Sequence, residues 1–221
     1  MKLDDVTVNV LKNFQTINPS IQFKEGNEIT STSPTKTIIA RATVPNSFPQ
    51  DFCIYDLRRF ISVTSMLKSA EIDFNETYLT FVEGKKKIKY AYCEPEAIVV
   101  PRKEPKKFPE ADIFFEFTLT AETIKEAIQG MNVLGHEMLV FKGQDGILSI
   151  SSKTDVNSDT FSIEIGETDK TFSFIFEQSK LNLLAKDYKA SLSKKKHMYL
   201  EGEGIEYWIS AHKNSSLDLD E

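Results

Sequence analysis

Few residues of this 221-residue chain have the types and spacing that catalysis or metal binding requires. The three histidines, His136, His197 and His212, lie far apart, and none has metal-ligand spacing to another histidine or to a cysteine. The phosphate-binding pattern GxxxxGK[ST] does not occur. The many acidic residues do not specify a pair of catalytic carboxylates. The sequence therefore predicts no catalytic residue, no metal site and no cofactor.

Basic side chains on predicted helices are the residues that could bind an anion. The candidates are Lys12, Arg58, Arg59, Lys125 and Lys180. Such cations can contact phosphate oxygens, but Lys and Arg are also commonly found as solvated surface charges. Lys125 is expected nearer the packed side of its helix, and Lys180 lies in a short helix where either role is possible. The residues alone leave both interpretations open.

The first helix should position Lys12. Apolar residues recur at steps of three and four along residues 3–17, at Leu3, Val6, Val10, Phe14 and Ile17. This spacing predicts one apolar stripe on a helix, with Lys12 on the opposite, largely polar side. Asn18 precedes Pro19, and a residue before proline is pushed out of the helical region, so the helix should end here.

Three more helices are predicted, over residues 57–69, 120–134 and 178–184. Asp56 and Thr120 are suited to cap the first two of these, because their side chains can accept from free backbone N–H groups. Short strand candidates lie between the helices, including residues 37–44 and 47–55 on either side of Pro45. The first and third helices start 116 residues apart, and the second and fourth start 122 apart. This spacing predicts one helix-plus-strands unit used four times, two units in each domain.

A proline-rich connector should separate the two domains. Residues 95–109 hold four prolines, Pro95, Pro101, Pro105 and Pro109, mixed with four basic residues, Arg102, Lys103, Lys106 and Lys107. Prolines at this spacing favour an extended, semi-rigid segment. We therefore expect a first domain at residues 1–100, a linker at 101–110 and a second domain at 111–221.

Composition indicates a folded protein. The chain is 40% hydrophobic and 11% aromatic, enough for a packed core. It has no run of 18 apolar residues, and its start, MKLDDV, lacks the apolar region of a signal peptide. We therefore expect no membrane segment and a reducing cytoplasm, in which Cys53 and Cys93 serve as small buried hydrophobic residues.

The net charge of −6 argues against a simple nucleic-acid groove binder, which should be basic. Charges more than about 10 Å apart are largely screened at about 0.1 M salt, so one basic face could still meet DNA. Two lysine runs, Lys85-Lys86-Lys87 and Lys194-Lys195-Lys196, fall at predicted hairpin tips. They are interpreted as solubilising turns or as guards of an exposed sheet edge.

Several short motifs, in the same order along nearly the whole chain, point to one family. They are Met1-Lys2-Leu3, Leu11-Lys12-Asn13-Phe14, Ile54-Tyr55-Asp56-Leu57, Val99-Val100-Pro101, Phe108-Pro109, Ala121-Glu122 and Glu201-Gly202-Glu203. In this ordered set the chain resembles the sliding clamps of T-even-type bacteriophages, which are DNA polymerase processivity factors.

The resemblance implies an α+β DNA clamp fold, in which two similar domains carry helices on one face of antiparallel sheet. Three copies would join head to tail as a ring around double-stranded DNA. The implied partners are a replicative DNA polymerase, an ATP-dependent clamp loader and the viral transcription machinery, in the cytoplasm of the infected bacterial host. The five basic helix residues would then face DNA, although the third helix also shows Glu122 and Glu126 on its outward side.

The resemblance also implies an apolar pocket near the linker for a peptide of the polymerase. The candidate pocket residues are Val99, Val100, Pro101 and Phe108, with a basic rim that includes Lys106 and Lys107. A second interpretation is that Val99, Val100 and Phe108 only anchor the linker to its own domain. For the chain as a whole, the alternative function is a phage structural or assembly protein with no DNA role, and an enzyme ranks third.

Overall fold

A computed structural model describes residues 1–67, 69–101, 103–156 and 158–218 of the chain. The chain divides into two compact units, Met1–Pro105 and Lys106–Glu221. The division falls inside the segment predicted to be the linker. Each unit carries α-helix on antiparallel sheet, which is the α+β class predicted from the sequence.

Among its described residues, the first unit contains two α-helices and seven strands. The helices are α1 (Asp5–Ile17) and α2 (Leu57–Met66), and the strands are β1 (Ile21–Phe23), β2 (Gly26–Thr32), β3 (Ile38–Phe48), β4 (Phe52–Ile54), β5 (Glu71–Phe74), β6 (Tyr78–Glu83) and β7 (Lys86–Ala91). Strands β4, β1, β2 and β3 pair side by side in that order. Strands β5, β6 and β7 form a second antiparallel group.

Helix α1 begins and ends as its sequence dictates. The Asp4 carboxylate caps the start by accepting from the N–H of Val6, and Asn18 is extended, as expected for a residue before proline. The buried face consists of Thr7, Val10, Leu11, Phe14 and Ile17. The predicted stripe was wrong at Val6, which is 52% exposed. The side of the helix that meets the sheet is rotated slightly about the helix axis from the predicted one. Because successive residues are about 100° apart around a helix, this rotation buries Thr7 and exposes Val6.

Aromatic rings hold α2 to both strand groups of the first unit. Phe60 lies 6.0 Å from Phe23 of β1, 5.7 Å from Phe81 of β6 and 5.7 Å from Tyr90 of β7, measured between ring centroids. The predicted N-cap is confirmed, since the Asp56 carboxylate accepts from the N–H of Arg59 at 2.8 Å. These contacts fix the direction in which the exposed side of α2 points.

One predicted strand break does not exist. The residues on either side of Pro45 form a single strand, β3, instead of two strands at 37–44 and 47–55. The register against β2 shifts between Gly26 and Glu28, opposite the segment that holds Pro45. Such an irregularity accommodates a proline, because proline cannot donate a ladder hydrogen bond.

The second unit contains one α-helix and nine strands among the residues that the structure describes. The helix is α3 (Ala121–Val133), and the strands are β8 (Ile113–Leu119), β9 (Met138–Gln144), β10 (Ile147–Lys153), β11 (Phe161–Glu167), β12 (Phe172–Glu177), β13 (Tyr188–Ser193), β14 (His197–Gly202), β15 (Ile205–Ser210) and β16 (Ser216–Leu217). Strands β11, β10, β9, β12 and β16 pair in that order, as do β15, β14, β13 and β8.

Helix α3 has the predicted cap, because the Thr120 hydroxyl accepts from the N–H of Thr123 at 3.1 Å. It lies closely on β11 at Gly130. A Cβ at this position would stand 2.6 Å from the ring of Phe161, so the close approach requires glycine.

The predicted fourth helix, residues 178–184, was wrong. Only Gln178–Lys180 makes a helical turn, and it is of the 3₁₀ type. Beyond it, Tyr207 Oη accepts from the N–H of Leu184, and Tyr188 Oη donates to the Leu184 carbonyl. Tyrosine hydroxyls thus satisfy backbone groups that a helix would otherwise have to pair.

Candidate functional site

Lys12 is exposed on the side of α1 that faces away from the sheet. The buried face of the helix is apolar apart from Thr7, and the outward face carries Asp5 and Lys12. Among the described residues, none forms a salt bridge with Lys12. Its ammonium group is therefore available to an external anion.

A groove of about 400 Å³ runs beside Lys12, between α1 and the C-terminal end of α2. Its polar lining comes from Lys2, Asp5, Lys12, Thr64 and Ser65. Lys2 is a residue that sequence reasoning missed as a site candidate. It lies before the first helix and therefore outside the periodic pattern by which the other cations were found. Its side chain is exposed, so the groove presents two cations and two hydroxyl groups against one carboxylate.

Arg58 and Arg59 are both exposed at the start of α2. Their backbone is fixed locally: Arg59 N–H donates to the Asp56 cap, and the Arg58 carbonyl accepts from Ser62 Oγ at 2.9 Å. No described carboxylate forms a salt bridge with either guanidinium group. Since α1 and α2 pack against each other, the first unit brings Lys12 and the two arginines together on one pair of helices.

Lys125 is exposed on α3, so its expected place near the packed side of the helix was wrong. It lies beside a shallow, largely apolar surface with Ile128, Gln129, Asn132 and Val133. Only Ala127 and Met131 are buried on α3. Because so few residues of the helix are buried, side chains on either side of them, including Lys125, stay exposed. Glu122 and Glu126 are also exposed, so the outward charge of α3 is not positive.

Lys180 is a poor candidate for contact with an external anion. It lies in the 3₁₀ turn and not on an α-helix, and its side chain is only 12% exposed. Its ammonium group lies 3.4 Å from Glu177 Oε1.

Three of the predicted peptide-pocket residues, Val99, Val100 and Pro101, belong to the first unit. Asn18 Nδ2 donates to the Val99 carbonyl at 3.0 Å, and Val99 is 37% exposed. Pro101 and Lys103 line a groove of about 330 Å³ against the exposed face of β1, β2 and β3. Glu25, Glu28 and Arg41 also line it, so this groove is charged and not apolar. Arg102 lies outside the described residues.

The other predicted pocket residues, Lys106, Lys107 and Phe108, belong to the second unit. Contacts within that unit hold them in place. The Lys106 carbonyl accepts from Trp208 Nε1 at 3.0 Å, and Lys107 pairs with Glu201. The ring of Phe108 meets that of Tyr199 edge to face, with centroids 5.8 Å apart. These contacts favour the anchoring interpretation for Phe108, and the peptide pocket itself stays a prediction.

His136 and Cys53, whose residue types could in principle serve catalysis or metal binding, are both buried in the fold. His136 is buried, and its Nδ1 lies 2.8 Å from Ser152 Oγ. Cys53 is 3% exposed, and burial raises the pKa of its thiol to about 11. Among the described residues, no group of three or more His, Cys, Asp and Glu side chains could hold a metal ion. Nor does any helix in that part of the chain have the length and apolar composition needed to cross a bilayer.

Comparison with known families assigns the two units separately. Residues 2–100 match the family model described as DNA polymerase processivity factor, and residues 116–213 match the model described as the C-terminal part of the gp45 sliding clamp. Each match lies within one of the two compact units.

Whole-chain relatives agree with these matches. The chain is 33% identical to the sliding clamp of Vibrio phage KVP40 over 218 residues, which cover 95% of this chain and 98% of the relative. It is 27% identical to the sliding clamp of Enterobacteria phage T4, covering 99% and 100% of the two chains.

A solved structure extends the comparison to the fold. The A. fulgidus PCNA, determined with the C-terminal region of FEN-1, superimposes with a TM-score of 0.68 at 18% identity, covering 96% of each chain. The predicted clamp fold is therefore confirmed. Taken together, the family models and the phage relatives show that this chain belongs to the bacteriophage sliding clamps, the DNA polymerase processivity factors.

Proposed function

We propose that three copies of the chain close as a ring around duplex DNA and tether a replicative DNA polymerase during viral DNA replication. The observation that carries the proposal is the charge of the first unit's helices. An acidic chain of net charge −6 keeps Lys12, Arg58 and Arg59 exposed on the outward side of α1 and α2, and none of them forms a salt bridge with a described residue. Because the chain belongs to the clamp family, we interpret these three cations as residues that face DNA.

Topology, and not affinity, would hold such a ring on DNA. Contacts to phosphate carry no sequence information and weaken with salt. A few mobile contacts therefore suffice to centre the duplex while the ring slides. No step in this function requires catalysis by the chain, so opening of the ring would be the task of a separate ATP-dependent loader. We place the assembly in the cytoplasm of the infected host, where the viral transcription machinery would be a further partner.

The two units should contribute unequally to the DNA-facing surface. The first offers three exposed cations on its helices, whereas the second offers Lys125 beside Glu122 and Glu126. Lys180 is withdrawn into an ion pair with Glu177. We therefore expect the duplex to lie closer to α1 and α2 than to α3.

The polymerase must hold the ring from outside, and we propose that a peptide from its C-terminus binds beside the linker residues Lys106–Phe108. Lys106 is the cation there that forms no described ion pair, because Lys107 is already engaged by Glu201. Lys106→Glu should weaken binding of a peptide ending in a carboxylate about tenfold, and Phe108→Ala should also weaken it.

Isothermal titration with the synthetic peptide measures this effect, with Lys213→Glu as a control at an exposed lysine of the same unit. Each variant should first be shown to have an unchanged oligomeric mass. Unchanged affinity in both linker variants would place the polymerase site elsewhere.

Light scattering tests the assembly. We expect a mass three times the 25.1 kDa of one chain. The alternative of a phage structural or assembly protein gains no support from the family to which the chain belongs. A mass equal to one chain at all concentrations would contradict the ring.

A further inference from the structure

One buried amide joins the end of α1 to the residues that lead into the linker. Asn18 is 2% exposed, and its backbone N–H donates to the Phe14 carbonyl at 2.9 Å, so the last turn of the helix fixes its position. The side-chain Nδ2 donates to the Thr32 carbonyl of β2 at 2.8 Å and to the Val99 carbonyl at 3.0 Å. A single nitrogen therefore holds a strand of the sheet and a segment that comes much later in the chain.

The oxygen of the same amide is also fully hydrogen-bonded. Asn18 Oδ1 accepts from the backbone N–H of Ser20 at 2.9 Å and from the Ser20 hydroxyl at 3.0 Å. A backbone N–H can only donate and a carbonyl can only accept, so these partners fix which end of the amide is the nitrogen. An asparagine side chain has two donor hydrogens and two acceptor lone pairs, and all four are used here. Aspartate has the same shape, but as a carboxylate it would offer only acceptors to the two carbonyls.

Packing holds the residues that lead into the linker only weakly. From 95 to 105, none of the residues that the structure describes is buried. The Ile98 N–H donates to the Pro95 carbonyl, but this bond closes a single 3₁₀ turn, Pro95–Ala97, and does not reach the sheet. Since these residues bury little apolar surface, the buried hydrogen bond from Asn18 contributes a large share of what holds them to the first unit.

We propose that Asn18 is the positioning residue of the linker, because its amide sets the point from which the linker leaves the first unit. Val99 lies seven residues before Lys106, and two prolines restrict the backbone between them. A displacement of the Val99 carbonyl would therefore be passed along a semi-rigid segment to Lys106–Phe108, where the polymerase peptide is proposed to bind. The inference rests on that proposed function and adds the residue that keeps the peptide site in place.

Asn18→Asp tests the role of the amide nitrogen with almost no change of shape. The carboxylate can still accept from Ser20, but it cannot donate to the two carbonyls. A nitroxide spin label on Lys103→Cys, in a Cys93→Ser background, reports the mobility of the linker by electron paramagnetic resonance. We expect clearly sharper lines when Asn18→Asp is added to this labelled chain. The same label on Lys213→Cys, an exposed position of the second unit, should give unchanged lines.

Peptide affinity tests the consequence for function. In isothermal titration with the synthetic peptide of the polymerase C-terminus, Asn18→Asp should raise the dissociation constant about tenfold, because the peptide must then order the linker as it binds. Asn46→Asp is the matched control. The Asn46 amide also joins backbone segments of the first unit, accepting from the Asp4 N–H and donating to the Lys2 carbonyl, but these lie at the start of α1. This control should leave the peptide affinity unchanged even where it lowers the melting temperature, which separates positioning of the linker from general stability.

A backbone substitution covers the case in which Asn18→Asp does not fold. Replacing Val100 by its α-hydroxy acid turns the Val99 carbonyl into an ester carbonyl, which is a weaker hydrogen-bond acceptor, and leaves every side chain unchanged. The Val100 N–H that is lost forms no hydrogen bond with a described residue. This chain should show the same changes in label mobility and in peptide affinity as Asn18→Asp, in the same direction and smaller in size.

The outcomes separate this inference from the proposed peptide site. Unchanged label mobility in both altered chains would show that Asn18 does not hold the linker. Increased mobility with unchanged peptide affinity would show that the peptide site does not depend on where the linker begins, and would overturn the role proposed for Asn18. If the natural chain binds no peptide while Asn18→Asp still frees the label, the peptide site is wrong and the hold of Asn18 on the linker stands.

Discussion

A clamp in which Lys12 and Arg58 are both replaced by glutamate should support little processive DNA synthesis and should still form a trimer of normal mass. Both side chains are exposed on the helices of the first unit and form no salt bridge with a described residue. Reversal turns attraction to phosphate into repulsion at six places in a ring of three copies. We expect loading or sliding to be impaired on the order of tenfold, with a shallower salt dependence, because each phosphate contact contributes about 0.9 to the slope of log affinity against log salt.

Matched reversals in the second unit provide the control. Lys125→Glu adds a negative charge to a helix that already carries Glu122 and Glu126, and Lys180→Glu removes an ion pair that is largely shielded. Both should reduce primer extension much less than the double variant does. Natural processivity in the Lys12→Glu and Arg58→Glu double variant would remove these residues from the DNA-facing surface.

The Phe60→Ala variant should lose most of the stability of the first unit. The ring of Phe60 is 1% exposed and contacts Phe23, Phe81 and Tyr90, which belong to both strand groups. Truncating a buried Phe to Ala typically costs about 3–5 kcal/mol, a large fraction of the stability of one domain. Thermal unfolding followed by circular dichroism measures the loss.

Ser62→Ala is the matched control for this change, because Ser62 lies on the same helix, is exposed, and only donates to the Arg58 carbonyl. We expect it to change the free energy of unfolding by less than about 0.5 kcal/mol. Equal melting temperatures for the Phe60→Ala and Ser62→Ala variants would show that Phe60 does not hold α2 to the sheets.

The sequence predicts the first unit better than the second because local signals govern it. Asp56 and Pro19 act on the backbone beside them, so the start of α2 and the end of α1 are where they should be. The exposure of Lys12 follows from the spacing of Val10, Phe14 and Ile17, even though the contact line includes Thr7 in place of Val6.

The errors arise where distant contacts override local preference. Residues 178–184 resemble a helix, but the hydroxyl groups of Tyr188 and Tyr207 bind the backbone of Leu184 instead. No sequence pattern identifies either tyrosine as a hydrogen-bond partner of the Leu184 backbone. In the structure Lys180 lies in a 3₁₀ turn, and its ammonium group is paired with Glu177.

Retention on circular DNA tests the central claim most directly. A ring loaded onto a nicked circular duplex should remain bound through washing at about 1 M salt, where contacts to phosphate are largely screened. Cutting the circle once should then release it, because only topology holds it in place. Release from the intact circle at the same salt, or retention after the cut, would contradict a closed ring that encircles DNA.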